Sequence, residues 1–275
     1  LGRERLGIVG ESGSGKSTTG RAILGLSPGR VTAQKLAFHG QTLLGLSPVE
    51  WRAIRGKRIS MIPNGCDLEI FKPSSRDNLS LEGISETDKV AVFTGAHGIA
   101  NGLDAVLDAA AVLKAKQRTD IVLAFIGDGK MKPHLMERAR KEQLDNCRFY
   151  NPMPKKELNK VVASADLGLM VLADVPAFYY GTSPNKFFDY ISSGLAVLNN
   201  YPGWLADMIQ ENKLGIVVPP KDANAFAEGL ISLLDDDTYR TECGQKARAF
   251  AEANFSRKSL ADKFVSFLEE VISLK

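Results

Sequence analysis

The sequence predicts an α/β protein: a doubly wound parallel sheet with an N-terminal strand–helix fragment ahead of it. Three observations carry this. From residue 90 onward, short near-continuous apolar runs alternate with helical stretches, the pattern of a parallel sheet covered on both faces. Glycine-rich loops come after several of those runs, where a doubly wound sheet places its ligands. Near the start, Gly10, Gly15, Lys16 and Ser17 satisfy G-x-x-x-x-G-K-[ST] between an apolar run and a helical segment.

In chain order, Leu6–Val9 reads as a strand and Ser17–Leu26 as the helix behind it. Val90–Thr94 is the next strand and Leu103–Lys116 an amphipathic helix. Ile121–Ile126 pairs with a helix over Lys130–Gln143, and Cys147–Tyr150 with one over Lys156–Ser164. Leu167–Val171 precedes a helix over Asn185–Ser193, and Leu195–Leu198 and Gly215–Val218 complete the strands. Asn224–Leu234, Thr238–Asn254 and Ser256–Leu274 read as three closing helices. Leu260, Phe264, Phe267, Leu268, Val271 and Ile272 form a stripe on the last. The alternation makes a Rossmann-like domain. It divides the chain into a P-loop fragment (1–61), a junction (62–88) and a larger domain (89–275).

Composition narrows the function classes. At 44% hydrophobic and 24% charged, the 275 residues are ordinary globular material, and no apolar run is long enough for a membrane helix. Cys66, Cys147 and Cys243 have neither metal-ligand nor disulfide spacing, as expected of reduced cytosolic thiols. The expected location is cytoplasmic, with membrane-peripheral attachment allowed. Residues 1–61 hold ten Lys/Arg against three Asp/Glu, whereas the remainder holds 25 against 29. That asymmetry flags different partners or origins for the two parts. The basic residues are dispersed without aromatic interleaving, so no nucleic-acid partner is expected.

In the first part, Gly10, Gly13 and Gly15 let the backbone N–H groups turn toward phosphates. Lys16 would neutralise the β/γ-phosphates, and Ser17 would hold Mg²⁺ beside Thr18. A glycine-rich turn without a ligand is the other reading. "GIVGESGSGKSTTGRAILGL", "LAFHGQTLLGLSP" and "WRAIRGKRISMI" resemble the ATP-binding subunits of ABC transporters, especially oligopeptide and dipeptide importers, over about residues 3–61. In that family "ISMI" leads into a Phe-Gln pair; here it leads into Pro63-Asn64-Gly65. No Leu-Ser-Gly-Gly-Gln signature comes later, and no apolar strand ends in Asp-Glu. Weak ATP or GTP binding without appreciable hydrolysis is expected, with Mg²⁺ only alongside the nucleotide and no obligatory cofactor.

The second part is similar to another family. The stretch from "IPNGCDLEIFKP" to about residue 272 resembles the C-terminal donor domain of group 1 (family 4) GT-B glycosyltransferases, so the chain reads as a chimera. The resemblance implies transfer from a nucleotide diphosphate sugar, UDP-linked, in envelope polysaccharide synthesis. "GAHGIANGLD" is similar to transferases of N-acetylated deoxy-aminohexoses. In this loop Gly95, Gly98 and Gly102 allow close backbone approach to a phosphate, and His97 and Asn101 join the expected site. The family's pyrophosphate-gripping Arg and Lys are replaced by Ala96 and Asn101. An exposed histidine with no task is the other reading of His97. In "IGDGKMK" the resemblance implies that the glycine-bracketed turn, Gly127, Asp128, Gly129 and Lys130, lies at the nucleotide; such turns are common by themselves. In "FYNPMPKKEL", Tyr150 and Met153 read as base-edge neighbours or as plain core.

"YYGTSPNKFFDYISSG" carries the most chemistry. Ser183 reads as an N-cap and Pro184 as a first-turn residue, so the N–H groups of Asn185 and Lys186 would face a diphosphate. Asp189 would accept the ribose hydroxyls. The family's first glutamate aligns with Gly181 and is absent, and a capped surface helix is the alternative. The acceptor half of such an enzyme is not in this sequence, so the chain is expected to be inactive alone. A non-catalytic sugar-nucleotide binder, and a homo-oligomer or partner seated on the apolar last helix, remain open. No catalytic residue is assigned.

Overall fold

The computed structural model describes residues 23, 33, 36–38, 41–47, 49–51, 64–75, 79, 81–179 and 182–273. The phosphate-loop residues Gly10, Gly13, Gly15, Lys16, Ser17 and Thr18 lie outside them, as do the first strand and nearly all of the helix expected behind it. The chain divides into two units: residues 1–63, 180–183 and 261–275, and residues 64–179 with 184–260.

In the first unit, β1 (Ala37–Phe38) and β2 (Gln41–Thr42) pair antiparallel. Leu43 and Trp51 are buried, with Leu36 and Leu46 against them. Ser47 and Glu50 cap one another: the Ser47 N–H donates to Glu50 Oε2 at 2.7 Å and the Glu50 N–H to Ser47 Oγ at 3.3 Å. This reciprocal box starts a helical turn, and hydrogen bonding from the Ser47 side chain first, then from its N–H, holds the Glu50 carboxyl below its usual range.

The second unit is a six-stranded parallel sheet made of β3 (Lys89–Thr94), β4 (Ile121–Ile126), β5 (Cys147–Tyr150), β6 (Leu167–Met170), β7 (Ala196–Asn199) and β8 (Gly215–Val217). Its order is β5-β4-β3-β6-β7-β8. Strand alternation sends neighbouring residues to opposite layers. Val90, Val92, Val122, Ala124 and Ile126 enter one core, with Val161, Phe187, Ile191, Leu205 and Ala247. Ala91, Phe93, Leu123 and Phe125 enter the other, with Leu107, Leu113, Leu135, Phe226 and Leu230. The first layer is therefore built from α3 (Lys155–Ser164), α5 (Asn185–Ser192), α6 (Trp204–Glu211) and α8 (Asp237–Asn254). The second takes α1 (Asp104–Ala115), α2 (Lys132–Glu142) and α7 (Ala223–Asp235). The single-turn α4 (Pro176–Tyr179) also belongs to this unit, and α9 (Arg257–Ser273) begins in it, with its residues from Ala261 onward counted in the first.

Most elements fall within a residue or two of expectation. The helix ends shift where caps decide them: Asp222 accepts from the Ala225 N–H and Asp236 from the Tyr239 N–H, each at 2.8 Å. The strand expected at Leu195–Leu198 begins one residue later. The Leu195 N–H is drawn back to the Tyr190 carbonyl at 3.0 Å, closing α5 around Gly194. The short α4 and α6 are not expected from the sequence. On α9, Leu260 is buried and Phe264 half exposed; the side chains of Phe267, Leu268, Val271 and Ile272 lie outside the described residues.

The junction stretch contributes to this core through Cys66, Phe71 and Leu81. Cys66 bridges to Ser256, with its N–H donating to the Phe255 carbonyl at 2.6 Å and its carbonyl accepting from the Arg257 N–H at 3.2 Å. The Arg248 guanidinium binds the carbonyls of Phe71 (2.9 Å) and Ser192 (2.6 Å). All three cysteines are free and buried, which raises every thiol pKa, Cys66 to about 11.

The chain runs outward from β3 to β5, then returns to β6 and proceeds the other way. The crevice between β3 and β6 is therefore the switch point, the ligand position of such sheets. Tyr190 fills the wall beneath it. Its hydroxyl accepts from the Thr94 N–H at 2.9 Å, and its ring lies so close to Gly168 that a Cβ there would sit 2.5 Å from Cδ2. Tyr190→Phe should cost about 1–3 kcal/mol, because a buried N–H loses its acceptor. Urea unfolding of the variant checks this, and an unchanged midpoint would contradict it.

Candidate functional site at the sheet switch point

Two glycine loops interleave above the carboxyl ends of β3 and β4. The Gly95 N–H donates to the Ile126 carbonyl (3.0 Å), the His97 N–H to the Asp128 carbonyl (2.8 Å) and the Met131 N–H to the His97 carbonyl (2.9 Å). Gly127 has φ +149° and a Cβ there would lie 2.0 Å from the Gly95 oxygen; at Gly129 it would lie 2.6 Å from the His97 oxygen. These glycines are demanded by backbone contact with the neighbouring loop, a reason the sequence does not display. Gly102 ends the 3-10 turn Ile99–Asn101 at φ 56°, tight against Ala173. Gly98 has open space around it.

His97 is corrected by the structure as an exposed loop residue: its ring is fully buried. It sits among Phe93, Phe125 and Phe149, with ring centroids 6.1, 6.3 and 6.4 Å away. Neither ring nitrogen has a hydrogen-bond partner among the described residues. Burial first, then the nearby Lys132 charge, lowers its pKa to about 4. The folded state therefore binds fewer protons than the unfolded chain between about 4 and 6.5. Stability should fall as pH drops through that window, by on the order of 2 kcal/mol. His97→Leu should flatten this limb; thermal unfolding at pH 7, 5.5 and 4.5 measures it, and an equal acid loss in the variant would refute it.

Lys186 stands in the first turn of α5. Its Nζ lies 3.7 Å from the centroid of Phe93 and 3.4 Å from Asn101 Oδ1, and it flanks Gly95. Asn101 is itself held by donation from Nδ2 to the Ala96 carbonyl at 2.6 Å. No carboxylate among the described residues forms an ion pair with Lys186, and burial lowers its pKa to about 7. The N-terminus of α5, with its partial positive charge, lies at the same place. The N-cap is Pro184, with no side-chain cap, so the expectation of a Ser183 cap with Pro184 inside the turn is corrected. Proline's fixed φ and missing N–H suit that boundary.

One turn along α5, Asp189 is partly buried and has its pKa raised to about 6, chiefly by burial, with Asp67 adding to it and Lys155 and Arg257 opposing. Asp67 accepts from Lys155 at 3.1 Å and Arg257 at 3.3 Å, and Asn64 Nδ2 donates to Asn185 Oδ1 at 3.0 Å. The junction thus reaches the same face of α5. Asp128 and Lys130 are exposed, and Asp128 Oδ1 accepts from the Gly129 N–H at 2.8 Å. Tyr150 donates its hydroxyl to the Glu82 carbonyl at 2.7 Å, and Met153 packs on the core, which favours the plain-core reading of both. Sequence reasoning misses Lys132, two residues past Lys130. Its stem and head are buried, and the only sequence signal is its place behind the glycine-bracketed turn.

Among the described residues, no cluster of three or more His, Cys, Asp or Glu could hold a metal, and no helix is long and apolar enough to cross a membrane.

Both parts of the chain have known relatives. The model of glycosyl transferases group 1 matches residues 76–250, and that of ABC transporters matches residues 2–144. The D-inositol 3-phosphate glycosyltransferase of Corynebacterium glutamicum is 27% identical over 234 residues, 78% of this chain and 52% of that protein. The dipeptide transport ATP-binding protein DppD of Escherichia coli is 54% identical over 61 residues, 22% of this chain and 19% of that one. The structure of Anabaena HepE in complex with UDP and glucose superposes with a TM-score of 0.65 at 16% identity, covering 76% of this chain and 56% of that one. The chain spans about half the length of the curated glycosyltransferases it matches. Where the two family matches overlap, at 76–144, the described backbone forms β3, β4 and their helices, part of the six-stranded sheet shared with GT-B enzymes. The chain belongs to the group 1 glycosyltransferases through this α/β domain, which lies behind an N-terminal ABC transporter ATP-binding fragment.

Proposed function

We propose that the second unit binds a nucleotide diphosphate sugar, UDP-linked, as a glycosyl donor for envelope polysaccharide synthesis. The observation that carries this is Lys186, a desolvated ammonium at a helix N-terminus, over an aromatic ring and beside Gly95, with no carboxylate pair among the described residues. A half-buried cation without a counter-charge is costly unless an anion completes it. A diphosphate meets the ammonium and the α5 N–H groups together, and Asp189 then accepts the ribose hydroxyls. Support comes from the HepE structure, a complex with UDP and glucose. Stabilising the departing diphosphate is half of glycosyl transfer; positioning an acceptor is the other half. These 275 residues supply the first and transfer no sugar by themselves. An acceptor half joins them as a partner or as further chain, and the last helix is the surface offered to a partner or a second copy.

A second reading applies to the N-terminal fragment. Gly10, Gly15, Lys16 and Ser17 favour ATP or GTP binding with Mg²⁺ on Ser17, without the carboxylates hydrolysis needs. Thermal shift separates the readings, since a ligand that binds only the native state raises its stability. UDP and UDP-N-acetylhexosamines should raise the transition of the second unit, and Lys186→Ala should abolish that shift. ATP–Mg²⁺ should act only through Lys16. No response to any UDP compound would refute donor binding, and turnover of ATP lost in Lys16→Ala would refute the inert P-loop.

A further inference from the structure

Lys132 is buried at the carboxyl ends of β4 and β5 with no carboxylate ion-paired to it among the described residues. Its Nζ donates to the carbonyls of Gly127 and Tyr150, each at 3.0 Å, and to Asn151 Oδ1 at 3.1 Å. An ammonium has three donors and no acceptor, so all three are used and each partner must present oxygen. For Asn151 this decides which way the amide faces. Its oxygen is turned onto the lysine, and its NH₂ is left for another partner.

Asn151 stands just past the carboxyl end of β5, two strands from β3 in the sheet. Lys186 marks the diphosphate at the end of β3. Asp189, one turn along α5, lies toward Lys155 and Asp67, on the side of the helix that comes after β5. The path from phosphate to ribose therefore points along the sheet toward β5. Two strand spacings, about 10 Å, bring it to the Asn151 loop. Asn151 is exposed there, at the first position past the strand.

We infer that Lys132 is a positioning residue: it locks the Asn151 amide with its donor outward and so selects a base bearing a carbonyl at that edge over one bearing an amino group. This rests on donor binding at Lys186. The chemistry separates uracil from cytosine at position 4, where the first carries an exocyclic oxygen and the second an amino group, the C2 carbonyl being common to both. An NH₂ donor pairs with the first and opposes the second.

Titration calorimetry of the full chain with UDP, CDP and inorganic pyrophosphate tests it. The native chain should bind UDP about tenfold more tightly than CDP, the value of one well-placed hydrogen bond. Lys132→Met should bring the two within about threefold by freeing the amide to turn. Asn151→Asp, which keeps the shape and presents only oxygen, should reverse the preference. Pyrophosphate binding should be unchanged in both variants. Equal affinity for UDP and CDP in the native chain overturns the inference alone. So does a preference that survives Asn151→Asp, or a Lys132→Met loss shared equally by UDP, CDP and pyrophosphate. Failure of the native chain to bind pyrophosphate and UDP removes donor binding and the inference with it. Should Lys132→Met not fold, Asn151→Asp decides.

Discussion

Lys186→Met should weaken UDP and pyrophosphate by at least about 30-fold, the loss of charge-assisted hydrogen bonds to an anion. The ligand-free protein should become more stable at the same time. Burial lowers the ammonium pKa to about 7 in the folded state, against 10.5 in an ordinary lysine. Below about 7 the group is charged in both states, and the folded protein bears the cost of its partial desolvation. Between 7 and 10.5 the unfolded chain holds the extra proton, so native stability rises with pH. The methionine variant should lack that rise and melt higher than the native protein at pH 6.5. Ligand affinity should behave oppositely, declining above about 7 as the ammonium loses its proton. Asp189 sets the other limb: with its pKa raised to about 6, it accepts ribose hydroxyls poorly below that pH. UDP affinity should therefore peak between about 6 and 7. Calorimetry from pH 5 to 9 measures the curve, and a flat profile or a destabilised methionine variant would contradict these expectations.

Gly127→Ala should be among the most damaging single changes in the second unit. Its Cβ would stand 2.0 Å from the Gly95 oxygen, at φ +149°. One loop must leave the other, at a cost of roughly 3 kcal/mol or more, which lowers the melting temperature by about 6–12 °C in a domain of this size. Gly98→Ala is the matched control. It lies in the partner loop, at φ −102° with nothing within 4 Å, and should change stability by less than about 0.5 kcal/mol. Scanning calorimetry of both compares them directly; equal effects would mean that the loops do not interlock.

Legibility in the sequence tracks these contacts. The strands of the parallel sheet are readable because each is apolar on both faces, as Ile121–Ile126 is buried throughout. Lys186 and Asp189 are readable because a helix start, an ammonium and a carboxylate sit within a few residues of one another. His97 is not, since nothing local tells whether a loop histidine faces solvent; three phenylalanines from β3, β4 and β5 decide that. Lys132 is hidden for a similar reason. Its acceptors are two backbone carbonyls and an amide up to 19 residues away, which the pattern of side chains does not record. Gly127 and Gly98 look alike as loop glycines, and only the approach of the opposite loop's backbone separates them.

The bridge from Cys66 to Ser256 has a consequence for heredity. It joins the beginning of the α/β unit to its end, so both chain ends of that unit leave from one place while the sheet and its two cores lie between them. A gene segment bounded in this way can be moved whole. New sequence can be spliced upstream of Asn64 without cutting a strand, a crossover or a loop of the site. In this chain all six strands of the parallel sheet, from Lys89 to Val217, follow that exchange point.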